Sequence, residues 1–279
     1  MANVWDAMKK REAELAASRA AAPATAESAG AAATAGPAGA APMTGSPLSS
    51  SIVPVSLNGY SKVLVSHHDR GGGIAEDYRS LRTNLLAQYP DERCCVLITS
   101  AEANEGKTVT CLNLALILAE RQERRTLVVD ADLRKCSVAP LLNTHNDPGL
   151  ADLLRGTVRI EDAVKPTAYG NLFVLTAGRA SRTEMGELLH RPELEEFVNQ
   201  FRQRYDYVLF DTPPITVTSD AGALGRAVRE AVLVVRMYKT RRETTDSAIR
   251  LLHAANIKPI GVVLTHHKYY IPKFIYYRT

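Results

Sequence analysis

Short apolar runs alternate along the chain with longer stretches of helical periodicity from about residue 61 onward. The runs carry Val, Ile and Leu almost continuously, as strands covered on both faces do. They predict six strands, at residues 94–99, 126–130, 172–176, 207–211, 231–235 and 260–265. Helical patterns lie near residues 74–88, 108–122, 192–204 and 241–255. This alternation predicts right-handed βαβ units, and therefore an α/β domain over residues 61–265 with a mostly parallel sheet flanked by helices.

The first 60 residues differ in composition from the rest of the chain. Residues 21–51 are mostly Ala, Pro, Gly, Ser and Thr with a single charge, which predicts a disordered linker over residues 21–60. Ahead of the linker, Asn3 could cap a short docking helix within residues 1–20, and a frayed terminus is the alternative.

The charge of the chain does not indicate a nucleic-acid partner. The chain has 279 residues, is 46% apolar and carries a net charge of +4. Residues 1–60 hold four basic and four acidic side chains, so the excess belongs wholly to the remainder. A nucleic-acid-binding protein usually has a clustered basic face, whereas the one dense run here, RQERR at residues 121–125, indicates the solvated end of a helix.

Cysteine usage and hydropathy favour the cytoplasm. The four cysteines have no zinc-like spacing, and three of them lie in apolar stretches, where a reduced thiol acts as a small hydrophobe. No apolar run approaches the roughly 18 residues that cross a bilayer, and the N-terminus lacks the apolar core of a signal peptide. We therefore expect any membrane association to come through a partner.

The first strong strand leads directly into a phosphate-loop pattern. Residues 101–108, AEANEGKT, fit the loose form A/G-x-x-x-x-G-K-T between a predicted strand and a predicted helix. In such a loop Gly106 lets the backbone approach phosphate oxygens, Lys107 neutralises the outer phosphates, and Thr108 offers a hydroxyl to Mg²⁺. The pattern predicts a site for ATP and Mg²⁺.

Two further predicted strands end in aspartate. Asp211 ends one of them and could hold Mg²⁺ directly or through water. Asp130 ends another and Asp132 follows two residues later. One of these two could merely cap a turn, but a carboxylate near Mg²⁺ can also bind the metal or accept a hydroxyl proton.

The C-terminal tail, residues 266–279, is unusually rich in tyrosine. Its last eleven residues hold four of the chain's eleven tyrosines: Tyr269, Tyr270, Tyr276 and Tyr277. Pro272 breaks any regular element there, so the segment is predicted to be presented rather than buried. Because a phenolic hydroxyl accepts phosphoryl groups, the tail is a candidate substrate for the predicted ATP site.

With these motifs, the chain resembles the bacterial tyrosine kinases, P-loop autokinases associated with capsule and exopolysaccharide export. The resemblance covers roughly residues 62–279. Its Walker A, A′ and B segments match residues 101–108, 128–135 (VVDADLRK) and 208–214 (VLFDTPP). The family's E-x-x-R-x-x-R oligomerisation motif matches Glu76, Arg79 and Arg82, and PGLADLLRG at residues 148–156 resembles a stretch that recurs after the A′ segment.

The resemblance implies a role for each matching residue. ATP would be bound by Ala103, Asn104, Glu105, Gly106, Lys107, Thr108 and Val109. Thr108, Asp130, Asp132 and Asp211 would hold the metal, and Lys107 with the three aspartates would carry out transfer. Glu76, Arg79 and Arg82 would form ion pairs between subunits of a homo-oligomer, although a solvated helix face is the alternative.

The family also implies a location and a partner. Its kinase and its transmembrane activator, a polysaccharide co-polymerase, occur either fused or on separate chains. Because this sequence has no transmembrane run, it is similar to the separate kind, a cytoplasmic kinase recruited to the inner face of the plasma membrane, or to a soluble variant of the family.

Two other functions remain open on sequence grounds. ATPases of septum placement and plasmid partitioning carry a lysine five residues before the P-loop lysine, and Glu102 stands at that position here. A non-catalytic scaffold that binds ATP and recruits export machinery would need the same nucleotide-binding residues.

Overall fold

The computed structural model describes residues 59–91 and 93–267. The predictions for the docking helix, for the linker up to residue 58 and for the four tail tyrosines lie outside the described residues. The strands are β1 (Cys94–Ser100), β2 (Thr126–Asp130), β3 (Lys165–Pro166), β4 (Leu172–Leu175), β5 (Tyr207–Asp211), β6 (Glu230–Arg236) and β7 (Lys258–Thr265). The helices are α1 (Val65–His68), α2 (Gly73–Leu86), α3 (Lys107–Leu118), α4 (Val138–Leu141), α5 (Leu150–Arg155), α6 (Ile160–Ala163), α7 (Arg182–Leu189), α8 (Glu193–Arg204), α9 (Asp220–Val228) and α10 (Arg242–Ala254).

The strands form one sheet in the order β3-β4-β2-β5-β1-β6-β7. Every neighbouring pair is parallel except β3 with β4, which is antiparallel. Parallel strands need crossover connections, and helices supply them here. The predicted α/β class with a mostly parallel sheet is therefore confirmed.

The sheet order explains where a site can form. In β1, β2 and β5 every residue is buried, as expected for central strands covered on both faces. Eleven of the twelve residues of α3 are buried, because this helix contacts the sheet as well as α1 and α2. The carboxyl ends of β2, β5 and β1 lie side by side, so the side chains that follow them meet at one edge.

The predicted strands are all present, and four have shifted ends. The largest shift is at β7, which begins at Lys258 rather than at residue 260. A proline and a lysine hide this start in the sequence, and the pairing of β7 with β6 is irregular at the same place, between Ala231 and Val232.

Sequence periodicity missed the short elements. Among the described residues, four helices have only four to six residues, which is too short to repeat an apolar position reliably. Helix α7 did carry a signal, because Ser181 and Glu184 form a capping box at its start. Helix α9 has the sequence DAGALGRAV, whose glycines weaken the helical pattern.

Candidate phosphate-binding site

The predicted phosphate loop connects the end of β1 to the start of α3. Gly106 has a φ of 94°, a left-handed conformation that favours glycine, and α3 begins at the next residue. Asn104 is also left-handed, with a φ of 65°. The loop therefore turns directly into the N-terminus of a twelve-residue helix, where backbone N–H groups and the helix dipole attract anions.

Lys107 lies among the aspartates that were predicted to join it. Its Nζ is 2.8 Å from Asp132 Oδ2 and 3.9 Å from Asp211 Oδ1, and all three side chains are largely buried. Burial lowers the pKa of Lys107, but the Asp211 and Asp132 carboxylates raise it by more, so the net shift is upward. The loop lysine is thus a buried cation that shares its charge with two carboxylates.

Asp211 at the end of β5 is the carboxylate best placed for a metal. Its Oδ2 accepts a hydrogen bond of 2.6 Å from Thr108 Oγ1, and its buried Oδ1 has no hydrogen-bond partner. Burial raises the pKa of Asp211 to about 6, although the charge of Lys107 and the Thr108 hydrogen bond oppose the rise. An acceptor left unpaired in the interior is costly, which is consistent with a ligand position.

Asp130 and Asp132 differ in what they contact. Asp130 is the register neighbour of Asp211, and its two oxygens accept backbone hydrogen bonds from Asp132 (3.2 Å) and Val138 (3.0 Å). Burial and the Asp211 carboxylate raise the pKa of Asp130 well above its usual range. Asp132 instead bonds Lys107 and accepts from the Lys135 N–H at 3.2 Å. In this structure Asp130 holds the backbone of the segment that follows β2, and Asp132 faces Lys107.

The donors present fit a magnesium ion that arrives with a nucleotide. Among the described residues, no group of three or more His, Cys, Asp or Glu side chains could hold a metal by itself. Magnesium usually takes one or two carboxylates and completes its shell with phosphates and water. The Thr108 hydroxyl and the unpaired oxygen of Asp211 match that need.

Glu105 has a role that its place in the loop motif did not reveal. Its buried carboxylate accepts from the backbone N–H groups of Glu102 (2.6 Å) and Arg236 (3.2 Å) and from the Thr240 hydroxyl. Its carbonyl oxygen accepts from Thr265 Oγ1 at 2.7 Å. Glu105 therefore joins the phosphate loop to the ends of β6 and β7. Its partners lie far away in sequence and leave no local signal.

The predicted oligomerisation residues lie together on α2, and both arginines contact Glu120 of the same chain. Arg79 binds Glu120 with Nη2–Oε1 at 2.7 Å and also binds Glu76 at 3.1 Å, while Arg82 binds Glu120 at 3.0 Å. The hydrogen bond from Arg79 is the largest cause of a lowered pKa at Glu120. All four side chains remain partly exposed.

Together, a loop between β1 and α3 and acidic residues at the carboxyl ends of β2 and β5 define a P-loop nucleotide-binding protein. A family model described as an AAA domain matches residues 97–239, which span the same elements.

The four cysteines of the chain are free thiols.

Curated relatives then identify the family. Tyrosine-protein kinase YwqD of Bacillus subtilis is 35% identical over 195 residues, which cover 70% of this chain and 81% of that relative. Tyrosine-protein kinase wzc of Salmonella typhi is 33% identical over 68% of this chain but only 26% of its own length. The kinase domain of the Escherichia coli tyrosine kinase ETK superposes with a TM-score of 0.68 at 27% identity, covering 75% of this chain and 83% of that domain. The chain belongs to the family of bacterial tyrosine-protein kinases.

The fold is also shared with a cell division ATPase. The structure of MinD from Pyrococcus furiosus has a TM-score of 0.54 at 26% identity and covers 61% of this chain. The fold alone therefore does not separate the two activities. In this chain Glu102 is the residue five positions before Lys107.

No helix in the part of the chain that the structure describes has the length and hydrophobicity required to cross a membrane.

Proposed function

We propose that this chain is an ATP-dependent protein-tyrosine autokinase that phosphorylates Tyr269, Tyr270, Tyr276 and Tyr277 of its own C-terminal tail. The observation that carries the proposal is the meeting of Lys107, Thr108, Asp132 and Asp211 at one sheet edge, in a chain of this family. These are the groups that phosphoryl transfer needs, because its catalysis is mostly positioning and charge neutralisation.

Each residue takes a defined part in this reaction. Lys107 binds the outer phosphates, and Thr108 and Asp211 hold Mg²⁺, which supplies further charge neutralisation when it is bound. Transfer forms a bond between the tyrosine oxygen and the γ-phosphorus and breaks the bond to the β,γ-bridging oxygen, so ADP leaves with that electron pair. Asp132, which bonds Lys107, assists the metal and receives the phenolic proton, and Asp130 supports Asp132 and the metal position through the backbone that its carboxylate holds.

We further propose that the tail of one subunit enters the site of its neighbour. Strand β7 ends at Thr265, so the tail follows the sheet directly and its tyrosines lie four to twelve residues beyond the strand, and Glu76, Arg79 and Arg82 provide the surface for assembly. Each phosphate adds a charge of about −1.5 to −2, and four add about −6 to −8. Loaded tails would repel the acidic site and each other, so the oligomer would loosen.

The same proposal places the chain in the cytoplasm beside a transmembrane co-polymerase. That partner would recruit the kinase to the inner face of the plasma membrane and activate it. The phosphorylation cycle would then regulate polymerisation and export of an exopolysaccharide or capsule. The relatives' names support the kinase half of this proposal only.

Incubation of the pure protein with ATP and Mg²⁺, with and without the partner's cytoplasmic segment, separates the functions that share this fold. A kinase labels its own tail with phosphotyrosine. A partitioning-type ATPase releases phosphate without labelling, and a scaffold binds ATP and does neither. Absence of phosphotyrosine even with the partner segment present would contradict the proposal.

A mixing experiment tests transfer between subunits. Lys107→Met should abolish self-labelling, because the buried cation at the phosphates is lost. When this variant is mixed with an active chain truncated after residue 267, the variant's tail should become labelled. A mixture in which both chains carry Lys107→Met is the control. Failure of the rescue would argue against transfer between subunits.

A further inference from the structure

A second lysine reaches the phosphate loop from the segment that follows β2. Lys135 is exposed, and its Nζ donates a 2.9 Å hydrogen bond to Asn104 Oδ1. Its backbone N–H donates to Asp132 Oδ1 at 3.2 Å. Its main chain is therefore tied to the carboxylate that also binds Lys107, while its side chain extends to the loop.

The ammonium groups of Lys135 and Lys107 have different kinds of partner. Lys107 Nζ is shared between two carboxylates, whereas Lys135 Nζ bonds a neutral amide, and no ion pair of Lys135 occurs among the described residues. An ammonium held by a neutral acceptor can move to an anion, because charge-assisted hydrogen bonds are roughly twice as strong.

The phosphate loop, residues 101–108, contains no cationic side chain besides Lys107. The position that carries a lysine in the partitioning ATPases is Glu102, whose backbone N–H is bonded to Glu105. A carboxylate cannot stabilise the phosphates. Asn104, by contrast, is a residue of the loop that wraps the phosphates, and its side chain already holds an ammonium there.

We propose that Lys135 is a further catalytic residue, a cation supplied by the same chain that leaves Asn104 to bind the terminal phosphate of ATP. There it stabilises the charge that develops during transfer. The contact is specific for the triphosphate, because ADP has no terminal phosphate to receive it. The inference rests on the ATP-binding half of the proposed function and not on the identity of the acceptor.

The test compares binding of MgATP and MgADP by the full chain. Lys135→Gln should weaken MgATP binding by about tenfold, equivalent to ~1.4 kcal/mol, and leave MgADP binding within about twofold. Lys135→Arg keeps the charge and should retain most of the preference for ATP. Lys258→Gln is the matched control, since it removes one exposed lysine at the other end of the sheet and should change neither constant.

Two results would overturn the inference. Equal weakening of the binding of both nucleotides by Lys135→Gln would make Lys135 a residue that only positions the loop. Unchanged binding of both nucleotides would show that Lys135 has no role in the site.

In the Lys135→Gln variant, the turnover of tail labelling at saturating ATP should also fall by at least about tenfold. If the chain binds ATP but labels no tyrosine, the proposed kinase function fails, while the ratio of the two affinities still decides the role of Lys135.

Discussion

At the scale of single residues, the site holds acidic groups that stability alone would not favour. Asp211 is fully buried, one of its oxygens has no hydrogen-bond partner, and burial raises its pKa to about 6. The folded chain therefore binds the Asp211 proton more tightly than the unfolded chain. Such a group destabilises the fold progressively as the pH rises from about 4 to about 6 and remains destabilising above that range. The proposed metal-binding role accounts for keeping such a group in the interior.

Asp211→Asn should consequently stabilise the nucleotide-free protein at pH 7.5, by a free energy of unfolding on the order of 1–3 kcal/mol. The gain should shrink at pH 4.5, where Asp211 is protonated in the folded state. The extra stability that MgATP confers should be lost, because the metal position is gone. Thermal unfolding at both pH values, with and without MgATP, measures this. A variant less stable than the wild type at pH 7.5 would contradict the interpretation.

At the scale of elements, the phosphate loop is fixed by strands distant from it in sequence. Glu105 accepts from the end of β6 and from the loop after it, and its carbonyl accepts from Thr265 at the end of β7. The loop conformation thus depends on the edge of the sheet from which the tail departs. A loop preorganised in this way binds phosphates at a smaller entropic cost.

Glu105→Gln should weaken binding of ATP and ADP alike, by about tenfold. Glutamine offers one acceptor oxygen where the carboxylate uses two, and its amide group would face a backbone N–H. Thr240→Val should have a smaller effect in the same direction, because one hydrogen bond is lost. Thr245→Val is the matched control, since the Thr245 hydroxyl donates to the carbonyl of Arg241, which caps the start of α10, and does not contact Glu105. Titration of the wild type and the three variants with both nucleotides measures the eight binding constants, and a loss confined to ATP would refute a loop-positioning role.

The strands and the phosphate loop also show which parts of the fold and of the site could be predicted from the sequence. The buried strands β2 and β5 were predicted at their observed ends, and the motif residues Lys107, Thr108, Asp132 and Asp211 do meet as expected. Continuous apolar runs and an ordered motif are local signals. The contact of Glu105 with Thr265 spans 160 positions and that of Arg79 with Glu120 spans 41, and neither follows any periodic pattern. Such partners depend on packing, which one sequence does not display.

At the scale of the whole molecule, the proposed oligomer depends on arginines that already have a partner within the chain. Arg79 and Arg82 converge on Glu120, and the pairs are partly exposed. Exposed pairs contribute at most about 1 kcal/mol each, so breaking them should leave the fold intact. The arginines can therefore exchange Glu120 for an acid of a neighbouring subunit at little cost.

The double substitution Arg79→Ala with Arg82→Ala should shift size-exclusion elution toward the monomer, since both donors of the subunit contact are lost. Glu120→Gln is the matched control, because it removes the charge that binds both arginines within the chain and keeps both arginines. The control should elute as the wild type does, and all variants should unfold within a few degrees of it. Unchanged elution of the double variant would exclude the assembly role.

The central claim is that the P-loop site phosphorylates the chain's own C-terminal tyrosines. Phosphopeptide mapping of the full chain after incubation with MgATP and the partner's cytoplasmic segment tests it most directly, with Lys107→Met as the inactive reference. The account predicts phosphate on Tyr269, Tyr270, Tyr276 and Tyr277 in the wild type and none in the variant. Phosphate-free tail peptides from a chain that demonstrably binds ATP would contradict it.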